Sequence, residues 1–252
     1  MKNIIASVKN LTAAFGDNVV LDEVSLDIYE GEIIAIIGGS GSGKTTLLKH
    51  FIGLLKPVSG IVELFGQDWG KLDEENRLDL RRNVGVLFQN GALLGSKSLL
   101  VNIAIPMELH TSLSEPAIRR VVLSKLRSVG LEKAAEKMPS ELSGGMRKRA
   151  ALARALALDP SLLFCDEPAA GLDPITLKSL DDLLLEIRVL LGLTIVVVTH
   201  EIAQIKRIAD RIAYLESGKL IFVGPPSEAL HCGIESVEQF FHIAEVKEQE
   251  KV

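Results

Sequence analysis

Ile33-Ile34-Ala35-Ile36-Ile37-Gly38-Gly39-Ser40-Gly41-Ser42-Gly43-Lys44-Thr45-Thr46 is the stretch that decides the fold. Ile33 to Ile37 is an unbroken apolar run, the pattern of a strand covered on both faces. It feeds a glycine-rich turn and then a helix predicted over Thr46 to Leu55. Gly38 to Thr45 fits G-x-x-x-x-G-K-[ST] in the strand-loop-helix context that this pattern requires. Glycines let successive amide N–H groups turn inward onto phosphate oxygens, and the helix N-terminus adds partial positive charge. In such a loop Lys44 holds the β and γ phosphates and the Thr45 hydroxyl meets Mg²⁺, with Thr46 closing the nucleotide-facing segment. The implied ligand is a nucleoside triphosphate with its magnesium ion.

Outward from this unit, Ile4 to Lys9, Val24 to Ile28 and Ile61 to Phe65 read as short strands bounded by Gly and Asp turns. From about Ser98 to Ala157 the β character gives way to helix. Ser114 is a predicted N-cap with Pro116 in the first turn, Ile118, Val121, Val122, Leu126 and Val129 share one face, and Gly130 ends the helix. Beyond it, Leu162 to Cys165, a helix from Pro174 to Leu191, Thr194 to Val198, a helix from Ala203 to Ala209, and Ile212 to Leu215 alternate. That alternation predicts an α/β fold with a largely parallel sheet. We expect one domain over residues 1–244, a helical subdomain inserted at about 98–157, and a frayed tail at 245–252.

The 252 residues are 47% hydrophobic and 24% charged, an ordinary globular composition. A formal net charge of -5 gives no basic footprint, so no direct nucleic-acid partner is expected. The run Arg147-Lys148-Arg149 reads as the solvated face of a helix. The longest apolar stretch, Leu183 to Val198, is interrupted by Glu186, Arg188 and Gly192 and reads as helix then strand, not a membrane span. Cys165 and Cys232 cannot build a disulfide framework, which suits a reducing cytoplasm.

Leu162-Leu163-Phe164-Cys165-Asp166-Glu167 is an apolar strand ending in paired carboxylates, the form of a Walker B element. Asp166 would join the Mg²⁺ shell, while Glu167, on the opposite face, would aim at the attacking water as general base. In isolation such a pair is more often a helix cap or a solvated loop, and the upstream phosphate loop reverses that reading. His200, at the tip of the apolar Val196-Val197-Val198, either donates to the γ phosphate or serves structure alone.

Leu142-Ser143-Gly144-Gly145-Met146 resembles the LSGGQ signature of the ABC (ATP-binding cassette) family. Ser143 fits a helix N-cap, and with the Gly144 and Gly145 amides it presents a second anion site. The other family motifs stand in order over roughly residues 4–224: Phe15 where an aromatic stacks on adenine, the phosphate loop, Gln89 after an apolar strand, the signature, Walker B, Gly171-Leu172-Asp173 as the D-loop, and His200. The resemblance implies a phosphate-loop NTPase with a RecA-like core, an N-terminal antiparallel β subdomain and an inserted α-helical signature subdomain. It also implies an ATPase using ATP and Mg²⁺, with Gln89 near the metal or the water, and a homodimer in which the signature of one chain completes the nucleotide site of the other. An integral membrane permease, bound at the cytoplasmic face of the inner membrane, is the implied partner.

Phe88-Gln89-Asn90-Gly91-Ala92-Leu93-Leu94 looks like the FQxGALF segment of the Mla and Mce-associated ATPases, and Val237-Glu238-Gln239-Phe240-Phe241 is similar to the same branch. That branch implies phospholipid or related lipid traffic, with an Mce-type lipid-binding protein reached through the permease. Met146 departs from the signature Gln, and Gly95 to Ser98 depart from the expected S-x-T-V. A cassette for another substrate is the alternative. A soluble ABC protein acting on nucleic acid or ribosomes is a further one, although neither a tandem cassette nor sustained heptads are present.

Overall fold

The computed structural model describes residues 2–249, with side chains through His242. In chain order the elements are β1 (Ile4–Phe15), β2 (Asn18–Tyr29), β3 (Ile33–Gly38), α1 (Lys44–Phe51), β4 (Ser59–Leu64), β5 (Gln67–Asp68), α2 (Glu74–Arg82) and β6 (Val84–Leu87). Then come α3 (Leu99–His110), α4 (Glu115–Ser128), α5 (Gly144–Ala155), β7 (Leu162–Asp166), α6 (Pro174–Leu191) and β8 (Thr194–Val198). The chain closes with α7 (Ile202–Ile208), β9 (Arg211–Glu216), β10 (Lys219–Gly224), α8 (Pro226–Ala229) and α9 (Glu235–Gln249). The chain forms two compact units, one of Met1–Arg77 with Thr194–Val252 and one of Leu78–Leu193.

In the first unit, β2, β1, β4 and β5 lie side by side as an antiparallel sheet. The N-terminal strands run well past the expected Ile4 to Lys9 and Val24 to Ile28, because register shifts let β1 bend and keep pairing with β2 as far as Phe15 opposite Asn18. Every residue of β3 is buried, as an apolar run without alternation demands. β3 pairs in parallel with β8 and with β9, and β10 adds an antiparallel strand to β9. Behind β3 and β9, Ala35, Ile37, Ile205, Ile212, Val237 and Phe241 pack as one apolar cluster. Val237 and Phe241, four apart on α9, thus have a packing role, and Phe240 sets its ring edge-on to Tyr214 at 5.5 Å between centroids. The expected tail at 245–252 is helical through Gln249, and the rest of it lies outside the described residues.

In the second unit β6 pairs in parallel with β7. Residues 98–157 hold α3, α4 and α5, and the compact unit that contains them also takes in β6, β7 and α6. Ser114 does occupy the N-cap of α4, though its side chain makes no cap hydrogen bond, while Ser98 caps α3 by accepting from Val101 N at 3.4 Å. Among the described residues no helix is long and apolar enough to cross a membrane.

Candidate functional site

The phosphate loop is shaped by contacts that exclude side chains. At Gly38, with φ +142°, a Cβ would lie 2.0 Å from Leu215 O, and at Gly43, with φ +103°, it would lie 2.6 Å from Leu21 Cδ2. Both positions therefore require glycine, which alone accepts such backbone angles and so close an approach. Gly39 and Gly41, by contrast, face open space, so the concave side of the loop is left to backbone amides. Gly43 forms the N-cap of α1, and Lys44 Nζ reaches back to donate to Gly38 O at 3.0 Å and Gly39 O at 2.7 Å. Ser42 is buried within the loop, and its Oγ makes no hydrogen bond inside the protein. A phosphate oxygen is the kind of partner that such a buried hydroxyl lacks. Thr45 is exposed in the first turn of α1 and Thr46 is half-buried.

The same strand ends carry His200. Ile36 pairs with Val198, Thr199 N donates to Ile36 O at 3.3 Å, and His200 follows, exposed. The loop and His200 thus share the carboxyl edge of β3 and β8, the edge at which parallel α/β sheets bind ligands. Phe15 is 55% exposed at the end of β1, and the neighbouring strand brings Val20 O and Leu21 against Gly43. An exposed ring on that hairpin suits stacking.

In the second unit β7 is buried throughout and delivers Asp166, buried, and Glu167, half-buried. Glu167 has φ +47°, an uncommon left-handed backbone for a residue with a side chain. Burial pushes the neighbouring Cys165 thiol up to about 12, so this cysteine is an inert core group. Ser143 caps α5 as expected, accepting from Met146 N at 3.3 Å, and Gly144 faces open space. Gly145 has a further, steric reason to be glycine: a Cβ there would meet Thr176 Cγ2 at 2.5 Å. Gly145→Ala is therefore expected to destabilise the chain by about 1–3 kcal/mol, and Thr176→Ser, which deletes that methyl, to remove most of the penalty in denaturant unfolding. Equal penalties in the two backgrounds would exclude this contact as the cause. Asp173 is the N-cap of α6. Its carboxylate accepts from Thr176 Oγ1, Thr176 N and Ile175 N, bonds that hold its pKa below the usual carboxylate range.

The basic run on α5 is a solvated face only in part: Arg147 is exposed and Arg149 half-buried, but Lys148 is buried. Lys148 is 7% exposed, and its Nζ donates to Gln89 O at 2.5 Å and to Glu167 O at 3.2 Å. Burial lowers its pKa, while Cys165, Glu167 and Asp166 pull the other way. Arg147 donates to Leu142 O and Arg149 to Ser179 Oγ. Further along α5, Arg154 donates to Gly91 O at 2.9 Å and Ala92 O at 2.7 Å. The loop after Gln89 is held from α3 as well. Asn102, fully buried, accepts from Leu94 N and donates to Leu94 O, Lys97 O and Ser98 O. A cavity of about 360 Å³ brings together Gln89, Gly144, Lys148, Gly171 and Leu172. Lys148, Arg154 and Asn102 carried no sequence expectation of a site role. Asn102 alone left a signal, as one amide inside the apolar run Leu99 to Met107.

Residues 21–170 match the family described as ABC transporter. The chain belongs to the ABC transporter family. Its fold is that of the ABC ATPases and its activity is ATP hydrolysis. The chain is 44% identical to the intermembrane phospholipid transport system ATP-binding protein MlaF of Haemophilus influenzae, over 95% of this chain and 91% of that protein. It is 41% identical to the probable ribonucleotide transport ATP-binding protein mkl of Mycobacterium leprae, over 95% of this chain and 69% of that one. The dimeric, post-hydrolysis structure of the ATP-binding cassette MJ0796, bound to ADP and Pi, superposes with a TM-score of 0.79 at 34% identity, covering 87% of this ABC chain and 98% of that one.

Proposed function

We propose that this ABC ATPase binds Mg-ATP through the Gly38 to Thr45 loop and, as a homodimer, drives a membrane permease that moves phospholipid. The observation that carries the nucleotide assignment is the loop itself: glycines forced by Leu215 and Leu21, an open concave side, and the buried Ser42 hydroxyl. Thr45, Asp166 and Gln89 offer hydroxyl, carboxylate and amide oxygens, the hard donors that suit Mg²⁺. When bound, the ion offsets negative charge on the phosphates. Lys44 neutralises phosphate charge, Glu167 accepts the proton of the attacking water, His200 donates toward the γ phosphate, and Phe15 stacks on the base. Ser143 and Gly144 are exposed at the start of α5, where the cap and amides are available to the nucleotide of a second copy.

The lipid assignment rests on the likeness to MlaF, whose length the chain covers almost entirely, and on the Phe88 to Leu94 segment. In this proposal the chain sits peripherally on the cytoplasmic face of the inner membrane, and an Mce-type protein joins through the permease. Purification from solubilised membranes tests both parts. A polytopic permease and bound phospholipid are expected with the chain; a nucleotide-binding or amino-acid-binding partner in their place overturns the substrate, and ribosomes overturn the transport function.

We propose the permease-facing surface on the segment just beyond Gln89, at Ala92, Leu93 and Leu94. Leu94 is 47% exposed although its main chain is held on both sides by Asn102, so an apolar side chain is presented on a fixed loop. Leu94→Asp is expected to leave ATP affinity unchanged and to abolish co-purification of the permease. A variant that assembles and transports normally rules this surface out, and one that unfolds shows that Leu94 packs the helical segment instead.

A further inference from the structure

Two loops that the proposed chemistry needs, one carrying Gln89 and one carrying Glu167, are joined by a single ammonium. Lys148 projects from α5, one turn beyond the Ser143 cap, and gives one N–H to Gln89 O and another to Glu167 O. The Glu167 peptide is unusual in its own right, since a left-handed backbone at a residue with a side chain persists only where the surroundings hold it. Its carbonyl is fixed by two donors, Lys148 Nζ and Ala170 N at 3.1 Å. A lysine suits this task because its three donors sit on one atom at the end of a flexible stem, so one buried group can satisfy carbonyls from separate segments.

We propose that Lys148 is a positioning residue for ATP hydrolysis, tying the main chain at Gln89 and at Glu167 to the helix that begins at the signature, so that the carboxylate and the amide keep their aim relative to that helix. The inference rests on the assignment of Glu167 as general base. In this proposal Lys148 acts through the two peptides whose carbonyls it holds. A purely structural lysine predicts something different: a loss of stability with activity falling in proportion to the folded fraction.

The test uses the chain purified in its native assembly. Lys148→Met keeps the stem and removes the donors. Its kcat is expected to fall on the order of tenfold to a hundredfold, the usual consequence of a small misplacement of a reacting group. ATP affinity, titrated directly, should stay within about threefold, and Lys148→Arg, which keeps charge and donors, should restore most of the rate. In a Glu167→Gln background the same Lys148→Met change should lower the residual single-turnover rate by a clearly smaller factor than in the parent, since only the Gln89 amide remains to be aimed. Equal losses in both backgrounds, or a folded Lys148→Met with the parental kcat, overturn the proposal. If Lys148→Met does not fold, Lys148→Gln, which keeps a neutral donor pair, is carried through the same cycle with the same criteria. Failure of the underlying assignment is seen separately, as unchanged hydrolysis in Glu167→Gln alone.

Discussion

Glu167→Gln is expected to bind ATP as tightly as the parent chain and to hydrolyse it about 10²–10⁴-fold more slowly, the usual contribution of a positioned general base. The substitution is clean for a structural reason. Gln has the shape of Glu, the left-handed backbone at position 167 is unchanged, and the carbonyl that accepts from Lys148 and Ala170 belongs to the main chain. Only the proton-accepting oxygen is lost. In the proposed dimer the uncleaved nucleotide then remains between two signatures, so gel filtration with ATP and Mg²⁺ should show the variant shifting to twice the monomer mass. Parental hydrolysis removes Glu167 from the mechanism; a variant that is slow yet monomeric under all nucleotide conditions leaves the base in place and removes the sandwich.

The parts of this chain that are legible from sequence are those whose cause is local. β3 and its loop are written in adjacent residues, since an unalternated apolar run and glycines at fixed offsets leave one physical solution. Thr194 to Val198 and Pro174 to Leu191 match β8 and α6 for the same reason: one is a β-branched run, the other opens on Asp173-Pro174 and stops at Gly192, which has φ +63°. Elements held by distant partners are less legible. β10 has a half-buried face with no clear alternation, and α2 buries Leu80 alone, so neither shows a strong period. The same limit applies at the site. Ser143 announces its cap because the donor lies three residues on, whereas Lys148 sits in a charge run whose direction is set by carbonyls of remote loops. Gly145 shows a third case, in which a motif glycine has a steric partner, Thr176, that no spacing rule would find.

Lys44→Ala is expected to weaken ATP binding by about ten- to a hundredfold, the equivalent of removing one charge-assisted contact to phosphate worth roughly 1.5–3 kcal/mol. The fold should suffer little, because Lys44 Nζ contacts Gly39 O at the exposed part of the loop, where water replaces the lost donor, and only Gly38 O, at the buried end of β3, loses a partner. The loop shape is set elsewhere, by the close approaches at Gly38 and Gly43 to Leu215 and Leu21, and these survive the substitution. Thermal unfolding separates the two contributions. Without nucleotide, variant and parent should melt together. At ATP a hundredfold above the parental Kd, ligand linkage stabilises the parent by about 2.7 kcal/mol, and a ten- to hundredfold loss of affinity reduces this to about 1.4–0.4 kcal/mol. A variant that melts early without nucleotide shows that Lys44 holds the loop together; one that keeps the full ATP-induced shift removes Lys44, and with it the phosphate assignment of the loop, from the nucleotide site.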